Sequence, residues 1–453
     1  MIMTSDPNYE VIGFIDDDPS KWGMRIHGHN VLGGRTRLAE ILKGAEVDEV
    51  AIAIASRRGE MVRSVMDVLC RLERKVELKI VPSLDEMMRA PGKDFDIRDV
   101  KPADLLNREV VRLDEARIAR VFEGQAVLVT GAGGTIGGEL CNQVLRYGPA
   151  KIIVLDNHAT SLFYKEAELR EKNRGSAIVS VLGDIRDQGL VDRVFKTHRP
   201  QVVLHAAAHK HVHQLEFNIQ EGIGNNILGT YCLASAADRF GAEKFLLISS
   251  DKAVRPSSVM GATKRVAEIV LRSLSARSKT CFCAVRFGNV LGSSASVLPI
   301  FQEQIARGGP VTVTDPKVTR YFMTVEEAVG LILQAVSMSK GGEVFILKMG
   351  TPMRILDMAK NLILLSGLEP GKDIDIRITG LRQGEKMDEE LAEDPAGLQA
   401  SEHPDVMALE PQNDALADIQ ARMLEMEILS RGPDPAAALK KLQELVPTFR
   451  PTA

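Results

Sequence analysis

Residues 126–139 read A-V-L-V-T-G-A-G-G-T-I-G-G-E, an apolar run that passes directly into a glycine-rich turn and then into helix-forming sequence. Nothing else in the chain restricts the fold as strongly. Gly131, Gly134 and Gly137 permit a tight turn and a close backbone approach, and the helix that follows presents its first amides to an anion. Glycine spacing alone is weak evidence, and a glycine-rich packing turn is the plainer alternative. At a strand–turn–helix junction the same spacing predicts the opening βα unit of a doubly wound sheet.

The elements that follow alternate as such a sheet requires. Apolar runs predict strands at 151–156, 178–182, 202–205, 245–248 and 281–285. Helical segments lie between them at 136–147, 190–198 and 225–239, with another from Gly261 onward. A later segment, 325–338, has apolar residues at 328, 331, 332, 335 and 336, the period of a helix, and 343–347 is a further strand. This repetition predicts an α/β fold, a doubly wound parallel sheet with right-handed crossovers.

The first part of the chain, 1–105, alternates in the same way. Strands are expected at Val11–Ile15, Val50–Ile54 and Val76–Val81 and a helix at Glu60–Leu72, giving a second, smaller Rossmann-like unit with a parallel sheet. No glycine-rich turn precedes Val11, so this unit reads as truncated, without its first strand and helix. The acidic run in F-I-D-D-D-P (Asp16, Asp17, Asp18) fits a ribose-binding turn or, better, a solvated charged loop. Residues 92–122 are polar and irregular, and a linker is placed at 106–122. The dinucleotide-binding domain is expected at 123–395 and a helical tail at 396–453, with helices at 415–429 and 436–445.

Composition narrows the partners. A net charge of -4 gives no reason to expect nucleic-acid binding. No apolar run reaches the roughly 18 residues of a membrane span, and the polar start M-I-M-T-S-D-P-N-Y-E lacks the regions of a signal peptide. Five scattered cysteines (70, 141, 232, 281, 283) suit a reduced, cytoplasmic protein and match no disulfide framework or metal site.

Asp156 ends the strand after the glycine turn, 19 residues beyond Gly137, where a carboxylate can hydrogen-bond a ribose 2′-hydroxyl. Asn157 and His158 follow it, with no arginine for a 2′-phosphate, so NAD is expected over NADP. Asp184, in G-D-I-R-D, closes the third strand and is placed to meet the adenine edge. The reacting groups are expected in S-S-D-K-A-V-R-P-S-S-V-M-G-A-T-K, residues 249–264. The 245–248 strand delivers Ser250, Asp251 and Lys252 to its C-terminal end, where open α/β sheets bind ligands. Met260 and Lys264 are one helical turn apart and share a face. In short-chain dehydrogenases the residue four before the helix lysine is a tyrosine that takes the substrate's hydroxyl proton. Methionine cannot ionise, so acid–base work of that kind would have to move elsewhere, and Ser250, Asp251 and Lys252 are the groups nearest to hand.

Taken with these stretches, T-G-A-G-G-T-I-G-G-E-L, L-D-N-H-A-T-S-L-F, G-D-I-R-D, H-A-A-A-H-K-H-V, R-F-G-N-V-L-G-S-S and G-L-R-Q-G-E-K-M resemble one family. It is the CapD-like polysaccharide-biosynthesis family of nucleotide-sugar 4,6-dehydratases, within the extended short-chain dehydrogenases. The methionine in the tyrosine slot resembles its large members, which are usually anchored by N-terminal membrane helices; this chain looks like a shortened form or a soluble relative.

The resemblance implies a UDP-N-acetylglucosamine 4,6-dehydratase with internally recycled NAD, supplying surface glycans. It implies Lys252 as the base at C5, Asp251 as the acid at the C6 hydroxyl and Ser250, with or without Asp251, at the C4 hydroxyl. Thr135, Ile136, Asn157, Ile185, Ala206, Ala207, Ala208 and Lys264 would join Gly131, Gly134, Gly137, Asp156 and Asp184 around NAD. His209, Lys210 and Met260 would line the sugar site, Asn289, Arg320 and Arg382 would meet the diphosphate and Glu385 the ribose of the UDP-sugar. Burial and nearby positive charge should lower the Lys252 pKa, and that of Asp251 should be raised. An ion pair between Asp251 and Lys252 with a purely structural role is the plainer alternative. The fold commonly pairs through helices beside the active site, so a homo-oligomer is expected. Dehydration with C5 epimerisation, epimerisation alone and an idle NAD-binding protein are the competing functions.

Overall fold

The computed structural model describes residues 9–54, 58–72, 74, 76–82, 97–106, 111–173, 175–410, 415–416, 418–451. The chain divides into two compact units. One holds 1–110, 300–313 and 355–378; the other holds 111–299, 314–354 and 379–453.

The larger unit is built on nine strands. They are β1 (Ala126–Thr130), β2 (Lys151–Asp156), β3 (Ala177–Leu182), β4 (Val202–His205), β5 (Lys244–Ile248), β6 (Cys281–Arg286), β7 (Val344–Leu347), β8 (Leu398–Ala400) and β9 (Val406–Leu409). Their order across the sheet is 8-9-7-6-5-4-1-2-3. From β3 to β7 all neighbours are parallel, while β9 joins β7, and β8 joins β9, antiparallel. The winding therefore reverses between β1 and β4, the place where such sheets hold ligands. Val127–Val129, Ile152–Leu155 and Phe245–Leu247 are buried on both faces, as continuous apolar runs in a parallel sheet should be.

The crossover helices α1 (Thr135–Leu145), α2 (Ala159–Lys172), α3 (Gln188–His198), α4 (Thr230–Phe240), α5 (Val259–Ser275) and α6 (Val325–Met338) cover the sheet. α4 is entered through a π-helical turn, Ile223–Gly229, where a regular helix was expected from 225. α5 is capped by Ser258, whose side chain accepts from the amide of Gly261 at 3.1 Å, and it is buried from Val259 to Leu274.

The expected tail differs from the structure. It opens with β8 and β9 on the sheet, and only then forms α7 (Ile419–Arg431) and α8 (Pro435–Leu445). Met423, Met426, Leu442 and Phe449 sit in the same core as β5 and α5. A short alternating run such as Val406–Leu409 is too weak a strand signal beside charged neighbours. The expected linker 106–122 also contains structure. Glu115–Phe122 is a helix, capped by Asp114, with Ile118 and Phe122 fully buried, because two apolar residues four apart suffice to seat one face. Residues 92–96 and 107–110 of that stretch lie outside the described residues.

The smaller unit carries two three-stranded sheets, and both are mixed where a parallel one was expected. His29–Gly33 lies parallel to Phe14–Ile15 and antiparallel to Arg25–Ile26. Glu77–Ile80 lies parallel to Glu49–Ile52 and antiparallel to Arg98–Asp99. Two of the extra pairings are made by two-residue strands with no periodicity to detect. Leu38, Leu42, Val62, Met66 and Ile80 form its core, with Leu364 and Leu365 from the returning helix Ile355–Leu365 packed on it. The acidic turn is satisfied locally: Asp18 caps the turn Pro19–Lys21, and Asp17 pairs with Arg35 at 2.5 Å. No helix among the described residues is long and apolar enough to cross a membrane.

Candidate active site

The turn after β1 abuts the end of β4. Gly131 has φ +67°, and a Cβ there would lie 2.7 Å from the backbone of Ala206; one on Gly137 would lie 2.0 Å from the Gly131 carbonyl oxygen. Only glycine allows helix α1 to start this close to the sheet. Gly134 stands at the N-cap of α1 with no side chain capping it, so the amides of the first turn, at Thr135 and Ile136, have no side-chain acceptor from that residue. The Asp156 carboxylate ends β2, buried, accepting from the amides of Gly133 and His158, each at 2.9 Å. Asn157 is exposed beside it, and Ala206, Ala207 and Ala208 are half-buried beyond β4. Uncapped amides beside an anchored carboxylate at the sheet's reversal suit a dinucleotide.

Two residues expected at the cofactor have partners within the protein. Both Asp184 oxygens take the Arg186 guanidinium, at 2.6–3.0 Å, which also holds Glu221 and keeps Asp184 below its ordinary range. The Ile185 side chain lies in the core. Such intra-loop pairing leaves no trace in strand periodicity.

Beneath this site His205 joins β4 to its neighbours. Its Nδ1 meets Thr130 Oγ1 at 2.8 Å and its Nε2 meets Thr230 Oγ1 at 2.9 Å. Burial, with a smaller push from Lys264, drives its pKa down to about 3, so it stays neutral. Asn226, in the π-helical turn, binds both the amide and the carbonyl of His209 and accepts from Asn225. It also donates to Thr263 on α5. A π-turn often marks a functional place, and this one ties the loop after β4 to α5. His209 Nε2 meets Glu221 at 3.1 Å, and Lys210 donates to the Ser294 carbonyl.

The Ser250–Lys252 segment leaves β5 as expected. Asp251 Oδ1 accepts from Ser250 Oγ at 2.9 Å and from Lys252 Nζ at 3.1 Å. The Asp251 side chain is 1% exposed, and its Oδ2 has no hydrogen-bond partner among the described residues. Lys252 Nζ also reaches Asn289 Oδ1 and Glu389 Oε1, both at 3.3 Å. A Cβ on Gly261 would fall 2.2 Å from the Lys252 carbonyl oxygen, so the glycine lets α5 press against this segment and fix it. Met260 is buried in the core, and Lys264 Nζ donates to the Ile248 carbonyl at 2.9 Å. Burial pushes Lys264 down to about 8, against the pull of Glu268.

The expected lowering of Lys252 is reversed. Burial works in that direction, but Asp251 and Glu389 outweigh it, with Arg320 opposing them, and the ammonium is held above its ordinary pKa. Glu389 was missed in the sequence. It stands in D-E-E-L, a charge run that reads as solvated surface, yet its side chain is 3% exposed.

Arg320 also has its partners within the protein. Its guanidinium, expected to face a phosphate, is buried and donates to the carbonyls of Thr319, Lys386 and Met387 and to Glu385. It thereby holds the segment that carries Glu389, and Glu385 in turn accepts from Thr314 and the Arg382 amide. The Arg382 residue is exposed.

Behind the site, Glu268 follows Lys264 by one turn on the same face of α5. It accepts from Ser249 Oγ at 2.6 Å and from Arg286 at 2.6 and 2.7 Å, with Arg265 at 3.2 Å. Glu268 and Arg286 are 0% and 1% exposed. Burial raises the Glu268 pKa, but the arginines overcome this and bring it down to about 2. Sequence gives the 260–264–268 spacing but not the burial of its last charge.

The family described as "Polysaccharide biosynthesis protein" matches residues 127–411. The chain is 45% identical over 393 residues to the probable polysaccharide biosynthesis protein EpsC of Bacillus subtilis, covering 86% of this chain and 65% of that one. It thus spans about two thirds of that relative's length. A UDP-glucose 4-epimerase of Rickettsia bellii is 32% identical over 278 residues, 60% of this chain and 78% of its own. The UDP-N-acetylglucosamine 4,6-dehydratase (inverting) of Campylobacter jejuni is 31% identical over 274 residues, 59% of this chain and 78% of its own. Among solved structures, Pen from Bacillus thuringiensis superposes with a TM-score of 0.59 at 34% identity, over 66% of this chain and 90% of that chain.

Proposed function

The chain belongs to the polysaccharide biosynthesis protein family, and from that premise we propose that it removes water from a UDP-N-acetylhexosamine. The substrate we infer is UDP-N-acetylglucosamine and the product its 4-keto-6-deoxy sugar, for surface glycans. One observation carries this reading: a hydroxyl, a carboxylate and an amine are joined by hydrogen bonds at the end of β5, beside a buried methionine where a tyrosine base would stand.

NAD would be held by the turn Gly131–Gly137, Asp156, Ala206–Ala208 and Lys264, and it supplies the chemistry of accepting a hydride at sugar C4 and returning it at C6. The rest falls to the protein. Ser250 Oγ takes the C4 hydroxyl proton and passes its own to Asp251 Oδ1, 2.9 Å away. The resulting 4-ketone acidifies C5, and Lys252, as the free amine, removes that proton. Asp251, now protonated, gives its proton to the C6 hydroxyl, which leaves as water. Lys252 returns its proton to C5 as C6 becomes a methyl group. Asp251 ends as it began, and no net redox change occurs.

Epimerisation is the second reading, favoured by the similarity to a UDP-glucose 4-epimerase. Incubation of the protein with UDP-N-acetylglucosamine and NAD, followed by mass spectrometry, separates the two. The dehydratase reading expects a product lighter by one water with no lasting rise in reduced-nicotinamide absorbance. A product of unchanged mass would replace it with epimerisation, and NMR of the product gives the configuration at C5.

A further inference from the structure

The proton count leaves one step unassigned. Lys252 rests as an ammonium between Asp251 Oδ1 and Glu389 Oε1, at 3.1 and 3.3 Å, and must lose a proton before it can act at C5. Asp251 is already occupied by the proton from the C4 hydroxyl, and the Asn289 carbonyl oxygen is no base. Glu389 remains. Its side chain is 3% exposed, and its Oε2 is buried with no hydrogen-bond partner among the described residues. A buried carboxylate oxygen in that condition is costly in a folded protein and calls for an explanation. Arg320 Nε, 3.8 Å from Oε1, and Lys252 are the cations beside it, Asp251 faces it across the Lys252 amine, and Glu385 shares Arg320.

We propose that Glu389 is a positioning residue for Lys252 that holds its proton while the amine acts on the sugar, through the contact between Nζ and Oε1. The inference rests on the dehydratase reading and completes its balance. After C4 oxidation Asp251 is protonated, Lys252 an ammonium and Glu389 a carboxylate. A proton shift from Nζ to Oε1 gives amine and carboxylic acid. Elimination breaks C5–H and C6–O: the C5 proton goes to the amine, and the Asp251 proton leaves in water. Lys252 then returns a proton to C5, and Glu389 gives its proton back to the amine. All three groups regain their first state.

The test compares the full-length protein with its Glu389→Gln variant, using UDP-N-acetylglucosamine and NAD across pH. Wild-type water loss should vary little near neutrality. Loss of the Glu389 charge by itself would free the amine more easily and speed the variant. The relay instead predicts that at pH 7 the variant is slower by about tenfold or more, recovering about tenfold per pH unit upward as the amine must lose its proton to solvent. NAD affinity should be unchanged. A loss equal at every pH would show a structural role and overturn the proposal, as would no loss. A second measurement does not depend on the variant's folding. In wild-type protein grown on carbon-13-labelled glutamate, infrared difference spectra during turnover should show a label-shifted carboxylic acid band. Its absence overturns the relay. If the wild type takes water from no nucleotide sugar, the dehydratase reading fails and this inference falls with it; water loss without the pH signature overturns the relay alone.

Discussion

Lys252→Ala is expected to slow water loss by about 10²- to 10⁴-fold, the usual contribution of a positioned general base. NAD affinity should stay near the wild-type value, because the residues assigned to NAD are in the β1–α1 turn, at the ends of β2 and β4 and on α5. Removing the ammonium leaves Asp251 and Glu389, 1% and 3% exposed, without the cation between them. Asp251 can still take the C4 hydroxyl proton through Ser250, but no group takes the proton on C5. The variant should therefore oxidise C4 and stop, with reduced nicotinamide building up when substrate is added. Stopped-flow absorbance and mass spectrometry read the two halves separately. Water loss at the wild-type rate would remove Lys252 from the base role.

The second large effect is on stability. Glu268→Gln is expected to cost about 3–5 kcal/mol, because it takes a carboxylate from a buried arginine held by two short bonds. The pH dependence follows from the sign of the shift. The folded-state pKa of Glu268, about 2, lies below its ordinary 4.5. Its stabilisation is therefore fully present above about pH 4.5 and is lost as pH falls through 2. Urea unfolding should separate wild type and variant widely at pH 7, with the curves converging below pH 4.5. A gap that does not narrow in acid would assign the loss to packing. The same carboxylate accepts from Ser249, next to Ser250, so one buried charge supports both the core and the segment to which we assign the proton chemistry.

How much of this was visible in the residues follows from the range of the interactions. β1 to β7 were legible because each strand of a parallel sheet is a near-continuous apolar run between helices, and Lys151–Asp156, Val202–His205 and Val325–Met338 have the bounds that their sequence suggests. The Ser250–Lys252 cluster was legible because it is contiguous and ends a strand. Glu389 and Arg320 were not, since what matters about them is a contact to Lys252 or to one another over long sequence separations. The pKa of Lys252 failed for the same reason: burial was foreseeable from the strand, but a second carboxylate was not. The short strands of the smaller unit and β8 and β9 escaped notice because two to four residues carry no usable period.

In the proposed reaction water is lost through a proton abstraction at C5, with hydrogen passing from C4 to C6 inside the active site. Conversion of UDP-N-acetylglucosamine in deuterium oxide tests it, with NMR of the product. Deuterium is expected at C5, delivered by Lys252 after exchange with solvent, and none in the C6 methyl group. Solvent deuterium in the methyl group, or a dehydrated product with none at C5, would contradict it.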